Sequence, residues 1–301
     1  MLRRAPRSSL FPYTSLFRSA NHLVSTNLLK VSELYRWTAT NERSIEDLAQ
    51  RPLVRKYVAQ LAAHENATPG YQEAHDLLIA DHLRPRLRYG GFLEFFVICP
   101  RHGLVLASND EHQEGKYRDA EQYYIQGKHQ TYLEGVYYST SLEQPAMTVG
   151  TPITDQNGHL LGVLAGRLDL GVLSKIMAQQ SGLSQTEDTY LVNNFNFFVT
   201  EPRFGHNYAL KKAVNTEGVR AGLKGQDGVG YYEDYRGVPV IGAYTWLPEY
   251  KMCILTEVDQ AEAYQPVFRL RRLVVSVAAW TALVVALLAF FFAGSITRPL
   301  Y

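Results

Sequence analysis

The sequence predicts an α+β chain: a long N-terminal helix, two antiparallel-sheet subdomains in tandem, and one transmembrane helix. Three observations predict it. Residues 273–293 (LVVSVAAWTALVVALLAFFFA) are an unbroken, uncharged apolar run. That is long enough to cross a hydrocarbon core of roughly 30 Å, and too apolar all round for an amphipathic core helix. From Ala20 to about residue 88 apolar residues recur at helical spacing. From residue 92 the period switches to that of strands, in short runs punctuated by Gly, Asn and Asp.

Composition narrows the function. The net charge is +1 over 301 residues, which gives no electrostatic case for nucleic acid. The residues ahead of the apolar run suffice for one large domain or two modest ones. The 20 tyrosines suit half-buried strands and equally the aromatic walls of a binding pocket. Cys99 and Cys253 each sit in an apolar strand-like run, far apart, and read as buried free thiols rather than a disulfide. The nine histidines show no metal-ligand spacing. No GxSxG, HExxH, P-loop or acid/base pair is present, so no enzyme activity and no cofactor are expected of these residues. The Gly-rich stretch 222–230 precedes a strand and reads as a loop.

Residues 9–19 (SLFPYTSLFRS) match the in-frame translation of a common sequencing adapter, TLFPYTTLFRS, except for Ser9 and Ser15. Residues 1–19 are therefore set apart from the fold, and the native start, with any first membrane helix, is expected to be missing. Residues 20–90 form the helical stalk, with Leu23, Leu28, Val31, Leu34, Tyr35, Ile45, Leu48, Val54, Val58 and Leu61 marking its apolar side. Pro52 interrupts it as a helix start or kink. A turn over 66–70 is followed by a second helix over 71–88.

Residues 91–183 form the first sheet subdomain. Its expected strands are 92–99, 104–108, 147–153 and 160–170, the last two joined by Asp155-Gln156-Asn157-Gly158. Asn-Gly between apolar runs is a strong hairpin signal. A Tyr-rich mixed region fills 117–138, and 171–180 reads as a short helix. The order then repeats over 184–260, with strands at 189–192, 195–200, 230–235, 238–246 and 251–258. Both sheets are expected to have five strands. Residues 261–272 form a juxtamembrane helix that runs into the membrane segment 273–293.

Three stretches carry a family resemblance: PITDQNGHLLGVLAGRLDL (152–170), TEDTYLVNNFNFFVTEPRF (186–204) and GSITRPL (294–300). In this order the chain resembles the double Cache (dCache) sensor domains of bacterial transmembrane receptors, over residues 20–300. The resemblance implies a long helix carrying two PAS-like sheets outside the cytoplasmic membrane. It also implies a membrane helix leading into a HAMP linker at 294–301, and a homodimer packed along the long helix. The output would be a histidine kinase, with a chemoreceptor or a diguanylate cyclase as alternatives. A membrane-tethered binding module without output is the rival of another class. Charge alone points the other way on orientation. Arg269, Arg271 and Arg272 precede the apolar run and only Arg298 follows it, which by the positive-inside rule would place 20–272 in the cytoplasm. The resemblance implies an extracytoplasmic domain on the inner membrane.

The resemblance also implies a ligand site in the first sheet. Amino-acid-binding members carry Arg-x-Trp-Tyr, a later Tyr and an Asp at the end of the last strand. The aligned residues here are Glu121-Gln122-Tyr123-Tyr124, then Tyr137 or Tyr138, then Asp169. Arginine forks onto a carboxylate, Asp pairs with an ammonium, and aromatics wall the pocket. Glu121 replaces the arginine. The ligand expected is therefore a small amine or amino-acid-like molecule, with Arg118 as a substitute anchor one turn away. Each residue also has a plainer role: Tyr123 and Tyr124 as core and surface of one helix, Glu121 as a solvated charge, and Asp169 as the cap of the following helix.

Overall fold

A computed structural model describes residues 12–63, 69–88, 91–139, 143–182 and 184–297. The chain opens with α1 (Pro12–Ala49), 38 residues long and so about 57 Å from end to end. Leu23, Leu34 and Ile45 are buried along it. Their spacing of three full turns keeps them on one face. Residues 12–19 continue the same helix. Elongating an established helix costs little per residue, so this continuation alone does not tie those residues to the fold; residues 1–11 lie outside the described ones.

Pro52 starts α2 (Pro52–Ala63), where its missing N–H would have had no partner. Of the turn expected over 66–70, residues 66–68 lie outside the described ones, and Pro69 and Gly70 already open the next helix. The second helix is broken: α3 (Pro69–Leu77), a π-helical turn (Leu78–Leu83) and α4 (Arg84–Leu87). Pro85 has no N–H to continue the ladder, and the Arg84 N–H reaches back to the Ile79 carbonyl. The extra residue is absorbed just ahead of the proline.

The first sheet holds β1 (Phe92–Ile98), β2 (Val105–Ser108), β3 (Tyr132–Ser139), β4 (Gln144–Thr154) and β5 (Leu160–Leu168), in the order β2-β1-β5-β4-β3. All its pairings are antiparallel. A short helix, α5 (Gln122–Gly127), precedes β3, and α6 (Leu170–Ala178) follows β5. The hairpin at 155–158 forms as expected, with Gly158 at φ 82° and Asp155 accepting the Asn157 and His159 N–H groups at 2.8 Å.

The second sheet has four strands, not five: β6 (Asp188–Asn193), β7 (Gly228–Glu233), β8 (Pro239–Leu247) and β9 (Met252–Asp259), ordered β6-β9-β8-β7. Residues 195–200 make only two isolated bridges, Val192↔Phe198 and Phe197↔Ala213. The Asn193 side chain accepts the Phe195 and Phe197 N–H groups, which curls this segment into a turn. α7 (Glu217–Gly222) precedes β7 and covers the sheet. After β9 come α8 (Gln260–Ala263) and α9 (Gln265–Thr297). The expected continuous helix breaks at Tyr264 because Pro266 is the second residue of α9 and cannot continue the α8 ladder.

One core runs along α1 through both sheets. Leu34, Ile45 and Leu48 pack with Phe95, Val149 and Leu164 of the first sheet and with Leu191 and Ile254 of the second. Both cysteines are buried free thiols, as the sequence predicted. Within residues 267–290 of α9 the most apolar 18-residue window has a mean hydropathy of 2.5, and none of that window is buried. Arg298, Pro299 and Leu300 of the HAMP-like stretch lie outside the described residues.

Candidate functional site

Strand alternation gives the first sheet two faces. Phe95, Val97, Met147, Val149, Leu164 and Leu168 face the long-helix core. The other face carries Phe96, Ile98, Val163 and Ala165, and on it stand two charges inside otherwise apolar strands. Glu94 of β1 and Arg167 of β5 are direct register partners. The Arg167 Nη1 donates to Glu94 Oε2 at 2.7 Å, with side chains only 2% and 1% exposed. The Ser108 hydroxyl donates to the other Glu94 oxygen at 3.1 Å. The Arg167 guanidinium lies 5.3 Å from the Phe96 ring centre and hydrogen-bonds the Tyr137 hydroxyl. Tyr137 in turn meets Thr148 Oγ1 at 2.6 Å.

Burial pushes the Glu94 carboxyl above its ordinary value, and Arg167 opposes that shift. A buried ion pair stabilises less than the apolar packing it displaces. Its placement in a strand face under a covering helix therefore marks a candidate site.

α5 is the cover. It sits close because Gly150 and Gly127 are glycines: a Cβ at Gly150 would collide with the Tyr123 carbonyl, and one at Gly127 would press on Val163. Its start is held by Glu134 of β3, whose carboxylate accepts the Tyr123 N–H at 3.0 Å. Glu121 is the N-cap residue by position, but its side chain makes no cap bond. Tyr123 packs edge-on to Phe96 with 5.9 Å between ring centres, and burial raises its hydroxyl pKa. At the rim, Arg118 Nη2 donates to Gln113 Oε1 at 2.6 Å, and Gln113 donates to Asp110. The Arg118 Nε is buried with no hydrogen-bond partner. It is a free donor at the edge of the cluster.

The structure thus brings Arg118, Tyr123 and Tyr137 to one place, with Glu121 at the start of α5 electrostatically coupled to Tyr123 and Glu134. It points the others elsewhere. The Tyr124 hydroxyl donates to the Cys99 and Pro100 carbonyls at 3.1 and 3.0 Å, tying α5 to the β1–β2 turn. Tyr138 is exposed. Asp169 caps α6, accepting the Gly171 N–H at 2.8 Å. Sequence reasoning missed Glu94, Glu134, Thr148 and Arg167. The available signal was a lone charge in each of two apolar strands, FLEFFVI and LLGVLAGRL.

The second sheet holds its own buried acid. Glu257 of β9 is 2% exposed and accepts the Tyr190 hydroxyl at 2.9 Å. Burial lifts its pKa to about 8. Nearby, Asp188 accepts the Tyr235 hydroxyl at 2.5 Å and the Arg203 N–H at 3.0 Å.

A long helix spanning two antiparallel sheets, each with a capped outer face, defines a tandem-sheet sensor domain. The family profile of the Cache domain, in its dCache form, matches residues 18–267, and the chain belongs to that family. No curated protein sequence matches it significantly. Among solved structures, the ligand-binding domain of the Campylobacter jejuni chemoreceptor Tlp3, in complex with 4-methylisoleucine, superposes with a TM-score of 0.59 at 14% identity, over 88% of this chain and 99% of that one. The V. cholerae histidine kinase DctB sensor domain gives 0.58 at 10% identity, over 83% and 99%. The ligand-binding domain of the Pseudomonas aeruginosa amino acid chemoreceptor PctC, in complex with GABA, gives 0.53 at 18% identity, over 79% and 99%.

Proposed function

We propose that residues 20–272 are the extracytoplasmic sensor of a transmembrane receptor, and that the outer face of the first sheet binds a small amine or amino-acid-like ligand. The observation that carries this is the buried Glu94–Arg167–Tyr137 set under α5, beside the free Arg118 Nε. Arg118 is placed for a carboxylate, Glu121 and Glu134 for an ammonium, and Tyr123 and Tyr137 for the walls. The solved relatives bound to 4-methylisoleucine and GABA favour the same ligand class. In this reading α9 crosses the inner membrane and passes a small helix displacement to an output module, a histidine kinase first. A chemoreceptor or diguanylate cyclase output, or a tethered binding module, fits the same ectodomain.

The protein acts as a homodimer along α1, where Leu28 and Leu29 are 56% and 65% exposed. A thermal-shift panel of amines and amino acids on the full chain in detergent tests the ligand reading. A hit should raise the midpoint in the wild type and not in Arg118→Ala. An equal rise in Arg118→Ala would reject the site. Leu28→Glu/Leu29→Glu should sediment as a monomer; an unchanged dimer would reject the α1 interface.

A further inference from the structure

Where the connector between the two sheets meets the start of α9, the protein forms a cavity of about 850 Å³. Two cations line it, Arg203 and Arg269. Arg203 donates to the Glu187 carbonyl at 3.1 Å, and Arg269 donates to the Gln265 amide oxygen at 3.3 Å. Neither contact neutralises charge. The one carboxylate in the lining, Glu262, is already used. It accepts the Gln185 N–H, the Thr186 N–H and the Thr186 hydroxyl at 2.7, 2.8 and 2.5 Å. Burial alone would raise its pKa, but these donors, together with the Arg203 charge, hold it below the ordinary carboxylate value. The cavity therefore sets two guanidinium groups against one carboxylate, which lies in the field of Arg203, and its lining keeps a net positive charge. Phe204, 40% exposed, stands at the same wall, with the Arg203 and Arg236 guanidinium groups 5.2 and 4.1 Å from its ring centre.

Position supplies the rest. Arg269 lies four residues before Leu273, the first residue of the uncharged apolar run, or about 6 Å along a helix. The headgroup layer extends roughly 5–8 Å beyond the hydrocarbon core. If α9 spans the membrane, Arg269 stands at headgroup level. So does the cavity wall it forms.

We infer that this cavity docks the phosphodiester headgroup of an anionic phospholipid. This rests on the reading above that α9 crosses a membrane. Arg203 and Arg269 take the phosphate oxygens as charge-assisted donors, and Phe204 meets the apolar boundary below them. The site also touches the signalling frame. His22 of α1 bonds Ser181 of the connector at 3.1 Å, so a lipid held here lies where α1, the connector and α9 converge.

Native mass spectrometry of the full chain in detergent, with equimolar phosphatidylglycerol and phosphatidylcholine, tests this. The wild type should retain phosphatidylglycerol several-fold over phosphatidylcholine. Arg203→Gln and Arg269→Gln should each lower that ratio about fivefold. Arg269→Lys should keep most of it, and Arg101→Gln, in the β1–β2 turn of the first sheet, should leave it unchanged. A melting curve on each variant separates lost binding from lost fold. Equal retention of the two lipids by the wild type would overturn the inference, as would a persisting preference in the Arg203→Gln/Arg269→Gln double variant. Competition by millimolar glycerol phosphate as strong as by the lipid would also overturn it, assigning the cavity to a soluble phosphoester. A chain that stays dispersed without detergent and carries neither lipid would reject the membrane reading as well. An inserted chain with no lipid preference would reject only this inference.

Discussion

Removing Arg167 leaves the Glu94 carboxylate with only a hydroxyl donor, Ser108, in a site 1% exposed. Breaking one side of a buried pair costs about 3–5 kcal/mol, because the remaining charge must be neutralised or left unpaired. For a domain of this size each kcal/mol moves the melting midpoint by about 2–4 °C. Arg167→Met should therefore lower it by roughly 6–20 °C. Replacing both partners, as Glu94→Leu/Arg167→Met, removes the pair together with its desolvation penalty. That double variant should return to within about 2 kcal/mol of the wild type, or exceed it. Urea titration of the four proteins closes the cycle. A cost below about 1 kcal/mol for Arg167→Met, the range of an exposed pair, would refute the reasoning. So would a double variant no more stable than the single one. The double variant should also fail to bind ligand, since Tyr137 loses its Arg167 partner. Stability would then be largely restored while binding stays lost.

Three further predictions follow from named contacts. Glu257 keeps its proton to about pH 8 in the folded state, against an ordinary value of 4.5. Between those values the folded chain binds the extra proton, so this group's contribution to stability falls by about 1.4 kcal/mol per pH unit as pH rises. Glu257→Gln should flatten the decline in urea midpoint between pH 5 and pH 8; an unchanged slope would contradict the assignment. The Asn27 amide on α1 donates to the Ala243 and Ile254 carbonyls and to Thr256 Oγ1, at 3.3 to 3.4 Å. Asn27→Ala should cost about 2–3 kcal/mol in chemical denaturation, with faster hydrogen exchange in the second sheet; a loss under about 0.5 kcal/mol would mean the contact is incidental. Gly150→Ala drives a methyl into the Tyr123 carbonyl. It should cost about 1–3 kcal/mol and weaken ligand binding, and a neutral effect on both would show that α5 is not the cover.

The parts of the fold written in local pattern were legible. The 155–158 hairpin, both halves of β4–β5, and the apolar run of α9 all announce themselves by spacing or turn chemistry. The parts written in tertiary contact were not. α5 is six residues long and is held by Glu134 from the next strand, so no local periodicity marks it. β3 alternates too weakly to stand out, since most of its residues are half-buried on both faces. Residues 195–200 look like a strand because Phe195, Phe197, Phe198 and Val199 form a short apolar run, yet the Asn193 carboxamide bends its start into a turn.

The site shows the same division. Tyr123, Tyr137 and Arg118 were reachable through the family resemblance. Glu94 and Arg167 were not, because each alone reads as an outward-facing strand residue. Only the register that sets residue 94 opposite 167 reveals the pair. Asp169 sits at the strand end in both readings, and the observed geometry gives its carboxylate to the α6 N-terminus.

The most direct test of the account is hydrogen exchange on the full chain with and without a ligand that raises its melting midpoint. The account predicts protection concentrated in α5 and β3, residues 122–139, with weaker protection along α1. Protection confined to the second sheet, residues 188–259, would contradict it and move the ligand site to the Glu257 side of the molecule.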